Sequence, residues 1–327
     1  MDLRPQAHEI IRTWLFYTVV RSELEFGRLP WRDVTISGWV IDPERKKMSK
    51  SKGNVVTPRH LLEQYGSDAV RYWAASGRPG ADTAFDEGQM RVGRRLAVKI
   101  LNASRFVLSR LGPGPADGEG GDDGDVTDAL DRAMLAQLDA LVTEATAAFA
   151  AYDYARALER TESFFWTFCD DYLELVKWRA YGSVGVAGAA SANQALVTAL
   201  STLLRLFAPV LPFVTEEAWS WWQEGSIHRA PWPEPGAGMG DVADGGRALD
   251  LAGAALGAVR KAKSEARRSM RAPVDRLVLS GPVAELDVLR SVEADLRSAG
   301  VVDTVEYVPG DVFAAAVELA SDEAAAG

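Results

Sequence analysis

The spacing of apolar residues predicts a short mixed segment, a long helical middle and a mixed tail. Apolar side chains recur three and four positions apart over residues 8–26, which predicts a helix. The β-branched stretch VTISGWVID at 34–42 is typical of a short buried strand, and a lysine-rich loop follows it. A short helix is predicted to begin at Pro58 and to end at Gly66. A second short helix, SDAVRYWAAS, and a long basic helix over 86–111 come next.

Long amphipathic helices dominate the middle of the chain and are predicted over 127–149, 152–181 and 191–208. The stretch SVGVAGAASAN between the last two is predicted to be a loop. Pro209 and Pro212 predict that one helix stops and another begins. The tail is predicted to alternate helix, strand, helix and strand over 247–270, 274–280, 283–298 and 302–307.

Two segments rich in glycine, proline and aspartate predict linkers, at 112–126 and 236–246. The predicted fold class is mainly α: the end of an α/β domain, then an α-helical bundle, then a small α/β tail. The remaining predicted boundaries are 1–57, 58–111, 127–235 and 247–327.

Composition excludes several function classes. The chain has 327 residues, 47% of them hydrophobic, and a net charge of −10, which is ordinary for a globular protein. No apolar run reaches the roughly 20 residues that a bilayer requires, and the first residues do not resemble a signal peptide. The one cysteine, Cys169, excludes an internal disulfide, and His8, His60 and His228 are far apart. We therefore expect a cytoplasmic protein without a bound metal or a membrane partner.

Positive charge is clustered despite the acidic total. Residues 91–110 hold six cations and no acid, and residues 260–276 hold seven cations against two acids. Such clusters on an acidic background favour local contact with a polyanion. A solvated helix face is the alternative for each cluster.

The stretch ERKKMSKSKGNVVTP has the chemistry of a phosphate-binding loop. Lys47 and Lys50 are three positions apart, so a turn can direct both ammonium groups to one side. Ser49 and Ser51 add neutral donors, and Met48 can pin the loop to a core. Converging donors would stabilise the charge that develops on a leaving pyrophosphate. A basic loop without a ligand is the alternative interpretation.

The motif KMSKS, residues 47–51, resembles the signature loop of class I aminoacyl-tRNA synthetases, and GWVIDPERKKMSKSKGN resembles its form in the valine, isoleucine and leucine enzymes. The stretches DLRPQAHEIIRTWLFYT, DDYLELVKWR, APVLPFVTEEAW, SIHRAPWP and KSEARRSMRAPV resemble the valyl branch, with the isoleucyl branch as the nearest alternative. The resemblance implies the C-terminal end of a Rossmann-like catalytic domain over 1–57. It also implies stem-contact helices over 58–111 and a helical anticodon-binding domain over 127–235.

The resemblance also assigns site residues. Lys47 and Lys50 would be catalytic, and Glu9 would hold the ATP ribose, although this chain has Ala7-His8-Glu9 where the family has Gly-x-Asp. The full set implied for ATP is Lys47, Met48, Ser49, Lys50, Ser51, Glu9, Gly38 and Val40. Ile10 and Trp14 would line the valine pocket, with simple core packing as the alternative. The residues implied for tRNA are Arg91, Arg94, Arg95, Lys99, Trp166 and Trp178.

Two functions remain open at this point. The first is the C-terminal portion of a synthetase that uses valine, tRNA(Val) and ATP, with Mg²⁺ carried by the nucleotide. Such a portion lacks the family's His-x-Gly-His motif and its editing domain, so we expect it to be inactive alone. It would be a monomer that works with a separately encoded N-terminal half if one exists. The second is a free-standing synthetase-like module that binds tRNA without aminoacylating it.

Overall fold

The computed structural model describes residues 1–49, 53–110, 126–236 and 246–321. The first part of the chain is a small α/β segment in which strands pair in parallel as β1 with β2 and as β3 with β4. A 3-10 turn and a single π-helical turn precede the first α-helix. The elements are β1 (Leu3–Ala7), the 3-10 turn (His8–Ile10), the π turn (Ile11–Leu15), α1 (Phe16–Phe26), β2 (Asp33–Ser37), β3 (Val40–Ile41) and β4 (Thr83–Ala84).

The predicted strand at 34–42 is two strands with a break at Gly38 and Trp39. A Cβ on Gly38 would lie 2.2 Å from the carbonyl oxygen of Ala81, so only glycine fits this close approach. The Trp39 backbone N–H donates to Asp82 Oδ1 at 2.7 Å instead of continuing a ladder. The strand residues are half-buried or exposed, not buried as predicted. Strand β1 was not predicted, because its sequence LRPQA lacks an alternating apolar pattern.

Three helices follow the lysine loop: α2 (Pro58–Tyr65), α3 (Ser67–Ala75) and α4 (Glu87–Leu108). Their predicted existence and bounds are confirmed to within a few residues. Asp86 caps α4, since its carboxylate accepts from the Gly88 backbone N–H at 2.7 Å. Helices α3 and α4 touch closely at Gly93, where an added Cβ would lie 2.7 Å from Tyr72 Cβ.

The middle of the chain is a bundle, and its predicted helices are confirmed. The loop predicted at 183–193 is wrong in its second half, because α8 begins directly after Gly185. This glycine has φ 101°, which lets the chain turn sharply into the helix. The bundle contains α5 (Ala129–Ala150), α6 (Tyr154–Thr167), a π turn (Phe168–Tyr172), α7 (Leu173–Ala180), α8 (Val186–Phe207) and α9 (Pro212–Ser220).

The tail differs from prediction in three ways. Its first helix ends at Glu265, before Arg267, whose backbone is in the left-handed conformation. The second predicted helix is split into two helices at Val292, and an additional strand follows the strand predicted at 302–307. That strand, AAAVEL, is alanine-rich and lacked a strand signal. In the tail sheet β5 lies between parallel β6 and antiparallel β7. The elements are α10 (Arg247–Glu265), β5 (Val274–Gly281), α11 (Val283–Ser291), α12 (Glu293–Gly300), β6 (Val302–Pro309) and β7 (Ala314–Leu319).

One continuous apolar core runs from α3 and α4 through the bundle into the tail. It joins side chains such as Leu96, Phe168, Leu256 and Leu277, each 2% exposed or less. Most of the two predicted linkers lies outside the described residues. Within the described ranges, no helix has both the length and the apolar character needed to cross a membrane.

Candidate nucleotide and tRNA site

The first lysine of the KMSKS motif meets Glu9. An isolated antiparallel bridge between Ile41 and Lys47 brings the loop back beside the preceding strand. The Lys47 ammonium pairs with the Glu9 carboxylate and lies 4.6 Å from the centroid of the Trp39 ring. The hydrogen bond from Lys47 is the main reason that the pKa of Glu9 is lowered. Thus residues 38 positions apart in sequence form one corner with a cation, a carboxylate and an aromatic face.

His8 packs against Trp39 in this corner. Its ring lies 4.7 Å from the Trp39 ring, and its Nδ1 is 3.3 Å from the Ser37 carbonyl oxygen. The second contact is a hydrogen bond when Nδ1 carries the proton. His8 therefore orients Trp39 locally.

The other residues implied for ATP have unequal positions. Gly38 is pressed against the 81–82 backbone, and Val40 is exposed beside it. Met48 is half-buried, and the Ser49 backbone N–H donates to Asn54 Oδ1 at 2.9 Å. The remaining two, Lys50 and Ser51, lie outside the described residues.

Ile10 and Trp14 do not lie on one α-helix. The prediction assumed an α-helix, in which residues four apart share a face. Residues 11–15 instead form a π turn, and Ile10, at the end of the 3-10 turn, has φ −103° and ψ 12°, outside the α-helical region. Trp14 is 64% exposed and lines an open cleft of about 640 Å³ with Thr13, Tyr17 and other α1 residues; Ile10 is not among the lining residues.

The basic face of α4 divides into two parts. Arg91, Arg94 and Arg95 line a cleft of about 740 Å³ next to α2. Arg94 donates to the carbonyl oxygen of Gln64 at 2.8 Å, which fixes its direction. Lys99 lies apart from this cleft. The structure therefore brings three of the four predicted cations together.

Lys99 is engaged inside the bundle. Its ammonium donates to Asp170 at 2.9 Å and lies 5.6 Å from the ring centroid of Trp166. Trp166 is half-buried, and its indole N–H donates to Glu162 at 3.2 Å. These contacts give Lys99 and Trp166 roles within the fold, which weakens their assignment to tRNA.

Trp178 is 58% exposed near the C-terminal end of α7. Tyr181 is exposed three positions later, and the Arg110 guanidinium lies 4.0 Å from the centroid of its ring. Trp178 was among the residues implied for tRNA binding, whereas its neighbour Tyr181 was not. The i, i+3 spacing in KWRAY was the available signal.

Much of the second basic cluster, at 260–276, is engaged in contacts within the fold, which leaves less charge for the polyanion contact that was one of its two interpretations. Lys263 is fully buried and donates to the carbonyl oxygens of Met270 at 3.0 Å and Gly300 at 2.7 Å. Burial lowers its pKa. Arg260 pairs with Asp171 at 3.1 Å, and Arg276 pairs with Glu306 and Glu318 at 3.4 and 2.9 Å.

No group of three or more histidine, cysteine, aspartate or glutamate side chains is placed to hold a metal ion in the part of the chain that the structure describes.

Comparison with known proteins decides the family. Residues 2–86 match the family described as tRNA synthetases class I (I, L, M and V), and residues 131–278 match the anticodon-binding domain of tRNA ligase. The chain is 58% identical, over 95% of its length, to the valine–tRNA ligases of Salinispora arenicola and Thermobifida fusca. It is 54% identical over 96% of its length to that of Leifsonia xyli subsp. xyli.

The chain belongs to the class I tRNA synthetases.

This synthetase chain spans only 35 to 38% of the length of these three relatives, and the similarity is to a C-terminal portion. A solved LeuRS in a ternary complex with tRNA and LeuAMS, from Agrobacterium radiobacter K84, resembles the fold with a TM-score of 0.57 at 20% identity. That likeness covers 98% of this chain and 38% of the LeuRS chain. The class I match contains Glu9 and the whole lysine loop, and the anticodon-binding match contains Trp178.

Proposed function

We propose that this chain supplies the KMSKS loop and the anticodon-binding bundle of a valine–tRNA ligase, which activates valine with ATP and transfers it to tRNA(Val). The observation that carries the proposal is the meeting of Lys47 with Glu9 beside Trp39. A cation that can bind phosphate, next to a carboxylate that can bind hydroxyls, matches the phosphates and the adjoining ribose of a nucleotide. In this proposal residues 1–57 are the C-terminal end of a Rossmann-like catalytic domain.

The Lys47–Glu9 pair suggests how a nucleotide would be received. ATP phosphates offer Lys47 more negative charge than one carboxylate does, so the ammonium would move to the phosphates. Glu9 would then be free to accept hydrogen bonds from the ribose hydroxyls. Before the nucleotide arrives, the hydrogen bond from Lys47 lowers the pKa of Glu9 and so favours the ionised carboxylate.

The chemistry would follow from the same loop. The valine carboxylate attacks the α-phosphorus, and pyrophosphate leaves with the electron pair of the broken P–O bond. Lys47 and Lys50 would stabilise the charge that collects on the leaving pyrophosphate, and Ser49 and Ser51 would add neutral donors. Mg²⁺ would arrive with ATP, and the chain itself need not hold it.

The tRNA would use separate surfaces. Arg91, Arg94 and Arg95 form a cationic cleft suited to backbone phosphates. Trp178 and Tyr181 form an exposed aromatic surface at the end of α7, on which unpaired bases can stack. Arg94 and Phe106, whose ring contacts Tyr181, are 12 positions apart in α4, so this helix would separate these surfaces by about 18 Å.

A binding experiment tests the tRNA part. We expect the chain to bind tRNA(Val) with an affinity that falls steeply between low and near-physiological salt, because phosphate contacts release counterions. A salt-independent affinity, or no binding at low salt, would contradict the proposal.

A second experiment separates the two functions left open by the sequence. None of the three histidines lies in a His-x-Gly-His motif, which favours a chain that binds tRNA but does not activate valine alone. We expect no valine-dependent pyrophosphate exchange from the purified chain. Exchange that appears when an N-terminal synthetase half is added would support the ligase, whereas tRNA binding without such exchange would support a free-standing module.

A further inference from the structure

The two ends of the lysine loop are joined by a side-chain hydrogen bond. Asp42 follows β3, Asn54 follows the KMSKS motif, and Asn54 Nδ2 donates to Asp42 Oδ2 at 2.8 Å. Asp42 is only 8% exposed, so this bond is shielded from water. Neither residue was singled out by the sequence analysis.

The same two side chains hold the loop backbone. Asp42 Oδ1 accepts from the backbone N–H groups of Glu44 at 3.0 Å and Lys46 at 2.8 Å. On the other side, Asn54 donates to the Lys47 carbonyl oxygen at 3.3 Å and accepts from the Ser49 N–H at 2.9 Å. These hydrogen bonds of Asp42 and Asn54, which together we call the bracket, hold the backbone on both sides of Lys47, from residue 44 to residue 49.

The bracket stabilises an unusual backbone. Arg45 has φ 62°, a left-handed conformation that costs a residue with a Cβ free energy. The accepting bonds of Asp42 on both sides of Arg45 offset this cost, and they lower the pKa of the Asp42 carboxyl, most strongly through the Lys46 N–H. Both carboxylate oxygens of Asp42 thus act as acceptors, and the lowered pKa favours the ionised form.

We propose that Asp42 and Asn54 are positioning residues that set the backbone of Lys47, so that its ammonium reaches the Glu9–Trp39 corner. The contact that Lys47 makes during catalysis rests on the proposed function. The position of Lys47 beside Glu9 and Trp39 does not depend on that function.

Donor and acceptor counting defines the test variants. Asn54→Asp puts two carboxylates face to face. Asp42→Asn puts two amide NH2 groups face to face. If the Asn54 amide then flips to relieve this, its NH2 group faces the Ser49 N–H, which is also a donor. The reciprocal double variant Asp42→Asn/Asn54→Asp restores one donor facing one acceptor between the two side chains, but it lacks the donor to the Lys47 carbonyl oxygen. Glu44→Gln is the matched control, because it removes the ion pair of Lys46 but leaves the bracket intact.

The measurement is acetylation of individual lysine amines in the full chain, followed by mass spectrometry. Exposed Lys261 is the reference amine, and buried Lys263 reports loss of the fold. We expect each single variant to raise Lys47 labelling relative to Lys261 by roughly five- to tenfold, the size of one lost hydrogen bond. The double variant should recover part of the protection that Asn54→Asp loses, and Glu44→Gln should change nothing at Lys47.

Unchanged Lys47 labelling in both single variants, with Lys263 still protected, would overturn the proposal. So would a double variant as reactive as Asn54→Asp, from which it differs only by the restored bond between positions 42 and 54. An added arm with ATP and Mg²⁺ examines the proposed function separately. If ATP leaves Lys47 labelling in the unchanged chain unaltered, nucleotide binding by this chain is wrong, while the comparison of variants still decides the positioning role.

Discussion

Arg179 and Asp131 form a paired ion bridge inside the bundle, with Nη1–Oδ2 at 2.6 Å and Nη2–Oδ1 at 2.9 Å. The same guanidinium holds Asp295 of α12 with Nε and Nη2, at 3.1 and 2.9 Å. Tyr172 and Ser191 donate their hydroxyl hydrogens to Asp131 at 2.7 and 2.6 Å. The side chain of Arg179 therefore links α12 of the tail to α5 of the bundle.

Removing this arginine should be strongly destabilising. Arg179→Met would leave Asp131 and Asp295, which are 0% and 6% exposed, buried without their cation. Breaking a buried pair in this way costs about 3–5 kcal/mol in free energy of unfolding. Urea denaturation monitored by circular dichroism would measure the loss.

The control for Arg179 is Arg156→Met. Arg156 also bonds a carboxylate, Glu144, at 2.8 Å, but both side chains are partly open to solvent. Exposed pairs contribute far less than buried ones, because water and salt screen their attraction, so Arg156→Met should change stability little. Equal losses for the two variants would show that burial of the Arg179 network has no special energetic weight.

The contact between α3 and α4 depends on the absence of a side chain at Gly93. Gly93→Ala would place Cβ 2.7 Å from Tyr72 Cβ, and Tyr72 is held by its hydroxyl donating to Glu162 at 2.6 Å. Because neither helix can yield easily, we expect a loss of about 1–3 kcal/mol in free energy of unfolding.

Gly257→Ala, in α10, tests whether this loss comes from the contact. No atom lies within 4 Å of the added Cβ, so alanine should stabilise the helix by about 0.5–1 kcal/mol. Thermal unfolding of both variants should move the midpoint in opposite directions. Two shifts of the same sign would contradict the steric argument.

The sequence predicted the helices well because their apolar residues repeat every three to four positions. Prolines also mark where helices begin, as at Pro58 and Pro212. It failed where long-range contacts decide the local shape. The break at Gly38 is set by Ala81, and strand β7 exists because β5 offers it a partner. Neither partner is visible in a local window.

The candidate site shows the same division. The KMSKS resemblance located the loop, and charge predicted its chemistry. The pairing of Lys47 with Glu9, and the bracket from Asp42 to Asn54, require the folded chain, because their members are far apart or lack a spacing signal. For the same reason Lys99 looked free in sequence, although Asp170 holds it.

The buried thiol of Cys169 should make stability depend on alkaline pH. Burial raises its pKa from 9.0 to about 12. Between these values the unfolded chain loses the thiol proton and the folded chain keeps it, so stability falls as pH rises. We expect urea unfolding at pH 8 to 10.5 to show a steeper decline for the unchanged chain than for Cys169→Ala. Parallel declines would mean that the thiol is ionised at similar pH in both states.

The exposed aromatic surface at the end of α7 should contribute to tRNA affinity without contributing to stability. Trp178→Ala removes a ring that is 58% exposed, so the free energy of unfolding should change by less than about 0.5 kcal/mol. Loss of one stacked base is worth roughly 1–3 kcal/mol, or a five- to hundredfold weaker affinity for tRNA(Val).

Trp166→Ala is the matched variant for Trp178. This half-buried ring packs against the core and donates to Glu162, so its removal should lower stability by about 2–4 kcal/mol. Its effect on tRNA affinity, measured well below the unfolding midpoint, should be the smaller of the two. Filter binding at fixed low salt, with urea unfolding of the same preparations, gives both quantities. If Trp166→Ala weakened tRNA binding more than Trp178→Ala did in folded protein, the base-stacking surface would lie around Trp166 on α6 and not at the end of α7.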